Sequence, residues 1–272
     1  MNGTFSMIQR CTEQDREGIL AYVDGAVDRC LYLYMDLLEF GFDSPEVSVW
    51  AEATPARALA CVGLVYGKTC HLFSRDRRFD VAAWARHLRA QGVTLACAEG
   101  TIVRQLAEVL PGKAEYGYEG RLDAPPPADD RTGIRRARAE DFAAIARLLH
   151  REAHYDRKAD LATVEEQLRT RWARGFARNY VLECGGGIAA HVGTTAEMGR
   201  VAVLGAVVTH TAFRSRGFAG RLYHAVCADL LAEGKEVFSF YYDAAGRGVN
   251  ERMGLMPHCE WGRLFVASEG TR

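Results

Sequence analysis

Nine consecutive residues, Val201-Ala202-Val203-Leu204-Gly205-Ala206-Val207-Val208-Thr209, carry no charge, and only the last has a polar side chain. A run this apolar and this rich in valine leaves no face for water. It predicts a strand covered on both sides, as in the middle of a sheet flanked by helices. The segment after it is equally constraining. His210-Thr211-Ala212-Phe213-Arg214-Ser215-Arg216-Gly217-Phe218-Ala219-Gly220 is a basic, glycine-containing turn. Leu222, Tyr223, Val226, Cys227, Leu230 and Leu231 then recur at helical spacing until Gly234 stops them. A buried strand therefore empties through a positive turn into a helix.

The surrounding pattern supplies the covering layers. Strands are predicted at Ile134 to Ala137, Tyr180 to Glu183, Ile188 to Val192, Val237 to Tyr242 and Gly262 to Ala267. Helices are predicted from Ala139 to Leu149, from Asp160 to Arg174 and just before Gly254. The order β-α-α-β-β-β-α-β-α-β describes a mixed α/β sheet with one crossover helix after the long strand. Upstream, a helix over Glu13 to Tyr34 precedes strands at Val47 to Trp50, Ala58 to Tyr66 and His71 to Phe73. A helix at Val81 to Gln91, a strand at Val93 to Ala98, a helix at Thr101 to Leu110 and a strand at Tyr116 to Leu122 complete a vaguer version of the same alternation. The chain therefore reads as an internal duplication.

Between the copies lies Asp123-Ala124-Pro125-Pro126-Pro127-Ala128-Asp129-Asp130. Consecutive prolines lack amide donors and favour extended geometry, which reads as a linker. The expected domains are 1–123 and 134–272, with 124–133 joining them. A length of 272 residues suits two domains. The formal charge of −1 conceals an asymmetry: 14 basic and 19 acidic residues up to Gly133, 20 and 16 beyond it. The second half is the one suited to an anionic ligand.

A near-zero total charge argues against a nucleic-acid partner. The longest uncharged run, 201–213, is too short to span a bilayer, so no membrane association is expected. Glu13, Asp15 and Glu17 interrupt any apolar block near the start, which predicts no secretory signal and a cytoplasmic protein. The eight cysteines are scattered without C-x-x-C spacing and the eight histidines are dispersed, so reduced thiols and no metal site are expected. The expected oligomeric state is monomer or homodimer.

The turn after the long strand carries the chemistry. The opening amides of a helix lack internal acceptors, and the aligned peptide dipoles favour negative charge there. Gly217 and Ala219 let an oxyanion approach the backbone, and Arg214 and Arg216 add positive field. The stretch is a phosphate cradle. The same residues would also serve a helix start with two solvated arginines, and the stretch alone leaves both open. Neither G-x-x-x-x-G-K-[ST] nor a strand-leading G-x-G-x-x-G is present.

Arg214-Ser215-Arg216-Gly217-Phe218-Ala219 matches the R/Q-x-x-G-x-G/A signature, and from Ile134 to Ala267 the chain resembles the GNAT superfamily of N-acetyltransferases. The resemblance implies a GNAT-like fold, in tandem if the first half is a degenerate copy that holds no coenzyme. It implies acetyl-CoA as cosubstrate, its diphosphate held by Arg214, Ser215, Arg216, Gly217, Phe218, Ala219 and Gly220. Its pantetheine arm would lie along Val207, Val208 and Thr209. The implied activity is acetyl transfer to a primary amine, a small-molecule acceptor being favoured, by direct attack in a ternary complex.

Two departures bear on catalysis. Many relatives have a tyrosine four residues before the Gly-Phe ending the last helix; here Gly254-Leu255 stands there, preceded at that spacing by Asn250. Tyr242 or Tyr241, on the neighbouring strand, are replacement proton donors. Some relatives place a glutamate on the long strand where this chain has Val203; Glu197, and less so His210, are the substitutes as base. These departures also motivate a second reading, a module that binds acetyl-CoA with little or no turnover.

Overall fold

The computed structural model describes residues 7–54, 56, 58–124, 130–153 and 160–267. The chain forms two compact units: Met1–Tyr118 together with Cys259–Arg272, and Glu119–His258. The first unit contains β1 (Met7–Arg10), α1 (Arg16–Asp24), α2 (Leu31–Phe40), β2 (Val47–Ala53), β3 (Leu59–Tyr66), β4 (Thr69–Phe73), α3 (Val81–Ala90), β5 (Leu95–Glu99), α4 (Gly100–Val109) and the start of β6 (Gly112–Leu122). The second contains β7 (Ile134–Arg136), α5 (Phe142–Leu148), α6 (Leu161–Ala173), β8 (Asn179–Cys184), β9 (Gly187–Met198), β10 (Val201–Thr209), α7 (Phe218–Ala232), β11 (Glu236–Tyr241), α8 (Ala244–Arg252) and the start of β12 (Leu255–Val266). Both units follow the order β-α-α-β-β-β-α-β-α-β. The ladders β1–β2, β2–β3, β7–β8, β8–β9 and β9–β10 are antiparallel, as is β3–β4. Each unit adds one parallel pair, β4 with β5 and β10 with β11. The fold is thus a mixed α/β sheet repeated in tandem.

The unit boundary departs from the proline-based one at the end of the chain. Residues from Cys259 belong to the first unit because Trp261–Phe265 pair antiparallel with Glu99–Leu95 of β5. Pro125–Pro127 and the rest of 125–129 lie outside the described residues. The helix predicted over Glu13 to Tyr34 is two helices, broken where Ala26 takes an extended φ of −151° after Gly25.

Local sequence explains the helix starts. Asp80, Asp160 and Asp243 each accept a hydrogen bond from an amide in the first turn of α3, α6 and α8, the standard satisfaction of an orphan donor. Helices α1, α2, α4 and α5 have no side-chain cap, and α7 differs from all of these in its backbone. Its N-cap is Gly217 in the left-handed region, with no side-chain cap.

The first unit's core gathers Cys61, Leu72, Trp84, Leu88, Val103, Leu106 and Leu264. The second has one cluster per sheet face. Leu204, Leu222, Tyr223 and Val226 lie on the α7 side, and Phe142, Ile145, Leu149, Val181 and Val208 on the α5 side. The cysteines form no disulfide, and six of the eight are buried. No helix among the described residues is long and apolar enough to cross a membrane.

Gly63 on β3 has no room for a side chain: a Cβ there would lie 2.8 Å from Cζ3 and 2.9 Å from Cη2 of fully buried Trp84. Trp84 cannot swing away without giving up its Nε1 donation to Glu52 Oε2 at 2.9 Å. Gly63→Ala is therefore expected to destabilise the first unit by about 1–3 kcal/mol through overpacking, read as a lowered thermal midpoint.

Candidate functional site

The site is built from a failure of strand pairing. β10 pairs in parallel with β11 from Val201↔Glu236 to Leu204↔Ser239, and the ladder stops there. Burial follows pairing: 201–204 are buried, whereas 205–207 and 209 are only half-buried. On its other edge β10 pairs with β9, interrupted by a register shift between Gly205 and Val208. Ala206 sits in that shift with φ of +52°, a conformation that costs a non-glycine residue of order 1 kcal/mol.

The bulge is held from beneath by His191, a fully buried residue of β9. Nδ1 of His191 is 2.8 Å from the carbonyl oxygen of Ala206, and Nε2 is 2.9 Å from the position of Asn179 Oδ1, where the neutral ring requires the Asn179 amide to be turned over. A carbonyl only accepts, so the ring proton is on Nδ1 and is donated to Ala206. Burial pulls the His191 pKa down to about 4, outweighing the opposing pull of the Ala206 carbonyl, and the ring is neutral near pH 7. Nε2 is then an acceptor, which suits Asn179 presenting its NH2 group; that nitrogen is otherwise buried without a partner.

Beyond Thr209 the chain makes one short helical turn, Thr211–Phe213, capped by His210, whose Nδ1 accepts from the Ala212 amide at 3.2 Å. Ser215 (φ +62°) and Gly217 (φ +75°) are both left-handed. Alternating handedness of this kind turns successive amides to one side and makes a concavity for an anion. A Cβ at Gly217 would meet nothing within 4 Å, so the space before α7 is open. A cavity of about 490 Å3 is lined by Glu152, Val207, Val208, Thr209, Arg214, Ser215 and Ala219, with Val249, Arg252 and Met253 of α8. The guanidinium of Arg214 donates to the Thr209 carbonyl at 3.3 Å and to Glu152 at 2.8 Å. Arg216 stacks over Phe213, 5.4 Å from its ring centroid, and Phe213 stacks with Phe218.

Val207, Val208, Thr209, Arg214, Ser215 and Ala219 are thus brought to one cavity, with Arg216, Gly217, Phe218 and Gly220 in the turn and first helical residues beside it. The residues expected to carry proton transfer are not brought there. Glu197 lies opposite Ala202, about 16 Å down the strand from Val207 at ~3.3 Å per residue. It is clamped by Arg178, whose Nε donates to Oε2 at 2.8 Å, with Lys235 at 3.6 Å. Glu197 lines a separate cavity of about 260 Å3 with Arg136, Trp172 and Arg178. Asn250 is buried within α8, donating from Nδ2 to the Gly246 carbonyl at 2.9 Å. Tyr242 follows the end of β11, half-buried, and like Asn250 is absent from the cavity wall. His210 serves as a cap.

Two residues that the sequence did not point to stand out. His191 interrupts the apolar run Ile188-Ala189-Ala190-His191-Val192, a visible signal. Glu152 has no such signal; it is 62 positions from Arg214 and meets it only through the fold.

The first unit shows what the same order of elements does without an open cradle. Glu52, 3% exposed, accepts from the Asp80 amide at 3.0 and 3.1 Å, so a carboxylate already sits at the start of α3. In the loop before α3, Arg77 donates to buried Glu99 at 2.5 Å, and Arg29 donates to the same carboxylate at 2.6 Å. Anion and arginine are both supplied internally.

This architecture is that of GNAT-family acetyltransferases. The chain superposes on a GNAT-family acetyltransferase from Colwellia psychrerythraea with a TM-score of 0.62 and 11% identity, covering 96% of this chain and all of that one. A GCN5-related N-acetyltransferase from Sphaerobacter thermophilus gives 0.63 and 14%, covering 96% of each chain. A tandem GNAT protein from the clavulanic acid biosynthesis pathway gives 0.59 and 16%, covering 97% of this chain and all of that one. No protein-family profile and no curated protein matches the sequence.

The buried histidine sets a pH signature. Its pKa is about 4 in the folded protein and near 6.5 when unfolded, so the unfolded chain binds the proton first as pH falls. Stability is lost between about pH 6.5 and 4, by about 3 kcal/mol from this group. His191→Gln is expected to shallow the fall of the urea midpoint across that window relative to wild type.

Proposed function

We propose that the second unit binds acetyl-CoA and transfers its acetyl group to the nitrogen of a primary amine, which attacks directly while both substrates are bound. The observation that carries this reading is the contrast among helix starts. α3, α6 and α8 each begin under an aspartate and α1, α2, α4 and α5 lack a side-chain cap, but among the described helices α7 alone begins under a left-handed glycine, and it opens beside a cavity walled by a strand edge that β11 leaves unpaired. That edge and that helix start together suit a ligand with an amide-bearing arm and a diphosphate.

The residues present fit such a coenzyme. Ser215, Arg216, Gly217, Phe218, Ala219 and Gly220 would hold the diphosphate with main-chain donors, and Arg214 and Arg216 would balance its charge. Val207, Val208 and Thr209 would pair with the pantetheine amides. When bound, the coenzyme supplies a thioester whose acyl carbon accepts the amine nitrogen as the carbon–sulfur bond breaks, giving the N-acetyl amine and the free thiol. A strand amide near Val208, beside the bulge at Ala206, would polarise the thioester carbonyl, a contact that needs no side chain. The thiol's ordinary pKa, near 8.5, makes the thiolate a fair leaving group without a strong acid. Asn250 cannot donate that proton as a phenol would, so turnover about 10²–10⁴-fold below that of an enzyme with full acid catalysis is expected unless another donor serves. Small-molecule amines are the favoured acceptors, and the reduced, buried thiols suit a cytoplasmic setting.

A second reading, a coenzyme-holding module without turnover, is favoured by the placement of Glu197, Tyr242 and Asn250 away from the cavity wall. Release of free CoA thiol across amino acids, polyamines, aminoglycosides and peptides separates the two, since the module binds without release. Gly217→Asp puts a β-carbon into the left-handed region and an anion into the cradle. It is expected to weaken acetyl-CoA by about tenfold or more in calorimetry. Wild-type protein that gives no heat with acetyl-CoA would overturn both readings.

A further inference from the structure

Among the described residues, Glu152 is the one acidic side chain on the wall of the Val207–Thr209 cavity, and it is only 7% exposed. It sits on the single wide turn Leu149–Ala153, whose Leu149 packs with Val208 and Ala206 on the α5 side of β10. Its carboxylate accepts from Arg214 at 2.8 Å, and Arg151 stands 3.5 Å away on the exposed side. Arg214 belongs to the turn assigned above to the diphosphate. One guanidinium is therefore claimed by two anions, one built in and one brought by the ligand.

We infer that Glu152 is the subsite for the acceptor's ammonium group, occupied by Arg214 until a diphosphate draws the guanidinium away. The inference rests on the coenzyme reading of the cleft and deepens it by naming how the amine is recognised. A diphosphate in the cradle offers Arg214 more negative charge than one carboxylate, in a bidentate geometry that guanidinium favours. Glu152 is then left nearly buried with its main counter-ion gone, and exposed Arg151 at 3.5 Å compensates poorly. A cation entering the cavity restores the balance, and a primary ammonium brings three donors for the carboxylate. Coenzyme and amine thus reinforce each other's binding, and thermodynamic linkage makes the effect reciprocal. Before coenzyme arrives, the amine finds its site filled.

The test uses desulfo-CoA, which carries the diphosphate but no thiol to acylate. It is titrated calorimetrically into wild-type and Glu152→Gln protein, each with and without spermidine, lysine amide or kanamycin. Glu152→Gln removes the competitor for Arg214, so desulfo-CoA alone is expected to bind about fivefold tighter than to wild type. In wild type at least one amine tightens desulfo-CoA by a similar factor; in Glu152→Gln none does. Glu152→Asp, which keeps the charge, retains the amine effect and separates charge from packing. Equal or weaker desulfo-CoA binding by Glu152→Gln, amine coupling that persists in it, or no coupling in wild type with any of the three amines would each overturn the inference. Wild-type protein that gives no heat with desulfo-CoA would overturn the coenzyme reading and this inference with it. A far-UV circular dichroism spectrum matching wild type identifies the variants that have folded.

Discussion

Two parallel strands that stop pairing after four residue pairs are the constraint on which the second unit turns. A sheet normally satisfies every backbone group of a central strand, and a buried amide without a partner is costly. On its β11 edge β10 leaves the ladder after Leu204, while on the opposite edge Gly205, Val208 and Thr209 still pair with β9 and His191 fixes the bulge around Ala206. His191 donates its ring proton to the Ala206 carbonyl, which can only accept, and burial keeps the ring neutral near pH 7. The strand edge, the basic turn and the open helix start then face one cavity as a consequence of chain direction alone.

Much of this was legible in the residues. Val201–Thr209 is the strand expected, although only 201–204 and 208 are buried as a covered strand would be, Gly234 ended α7 in the left-handed conformation expected of a stop, and Arg214–Ala219 carried the signature. The alternation in both halves matches the repeated element order. Other features were hidden for identifiable reasons. Apolar periodicity continued through Gly25 and Ala26, so one helix was expected where a backbone kink makes two. Strand β12 was expected to begin near Gly262, but it begins at Leu255, since Pro257 and polar neighbours mask a strand pattern. Its last residues pair with β5, a partner more than 150 positions away that no local pattern can name.

The chemistry was less legible than the cradle. A diphosphate grip is local, made of consecutive amides and nearby arginines, and therefore leaves a short motif. Proton transfer depends on which distant side chain converges on the reacting atoms. Glu197 is close to the long strand in sequence yet is locked into Arg178 at its far end, whereas Glu152 reaches the cavity from a different helix. Convergence of this kind is a property of packing, and neither spacing nor composition encodes it.

The two units pair their loop arginines alike, Arg77 with Glu99 and Arg214 with Glu152, but differ at the helix starts themselves. At the start of α3 the negative charge is covalently part of the chain, as Glu52, and the loop arginine Arg77 is already satisfied by Glu99. At the start of α7 the first helical turn carries no acidic residue, and the built-in carboxylate, Glu152, reaches the turn only through Arg214. A built-in counter-ion never dissociates, so the first unit holds its shape at any solute concentration. A counter-ion that must arrive by diffusion adds stability only in proportion to its abundance. On the coenzyme reading proposed above, the resilience of the second unit to heat and proteolysis rises with the concentration of that anion, and that of the first unit does not.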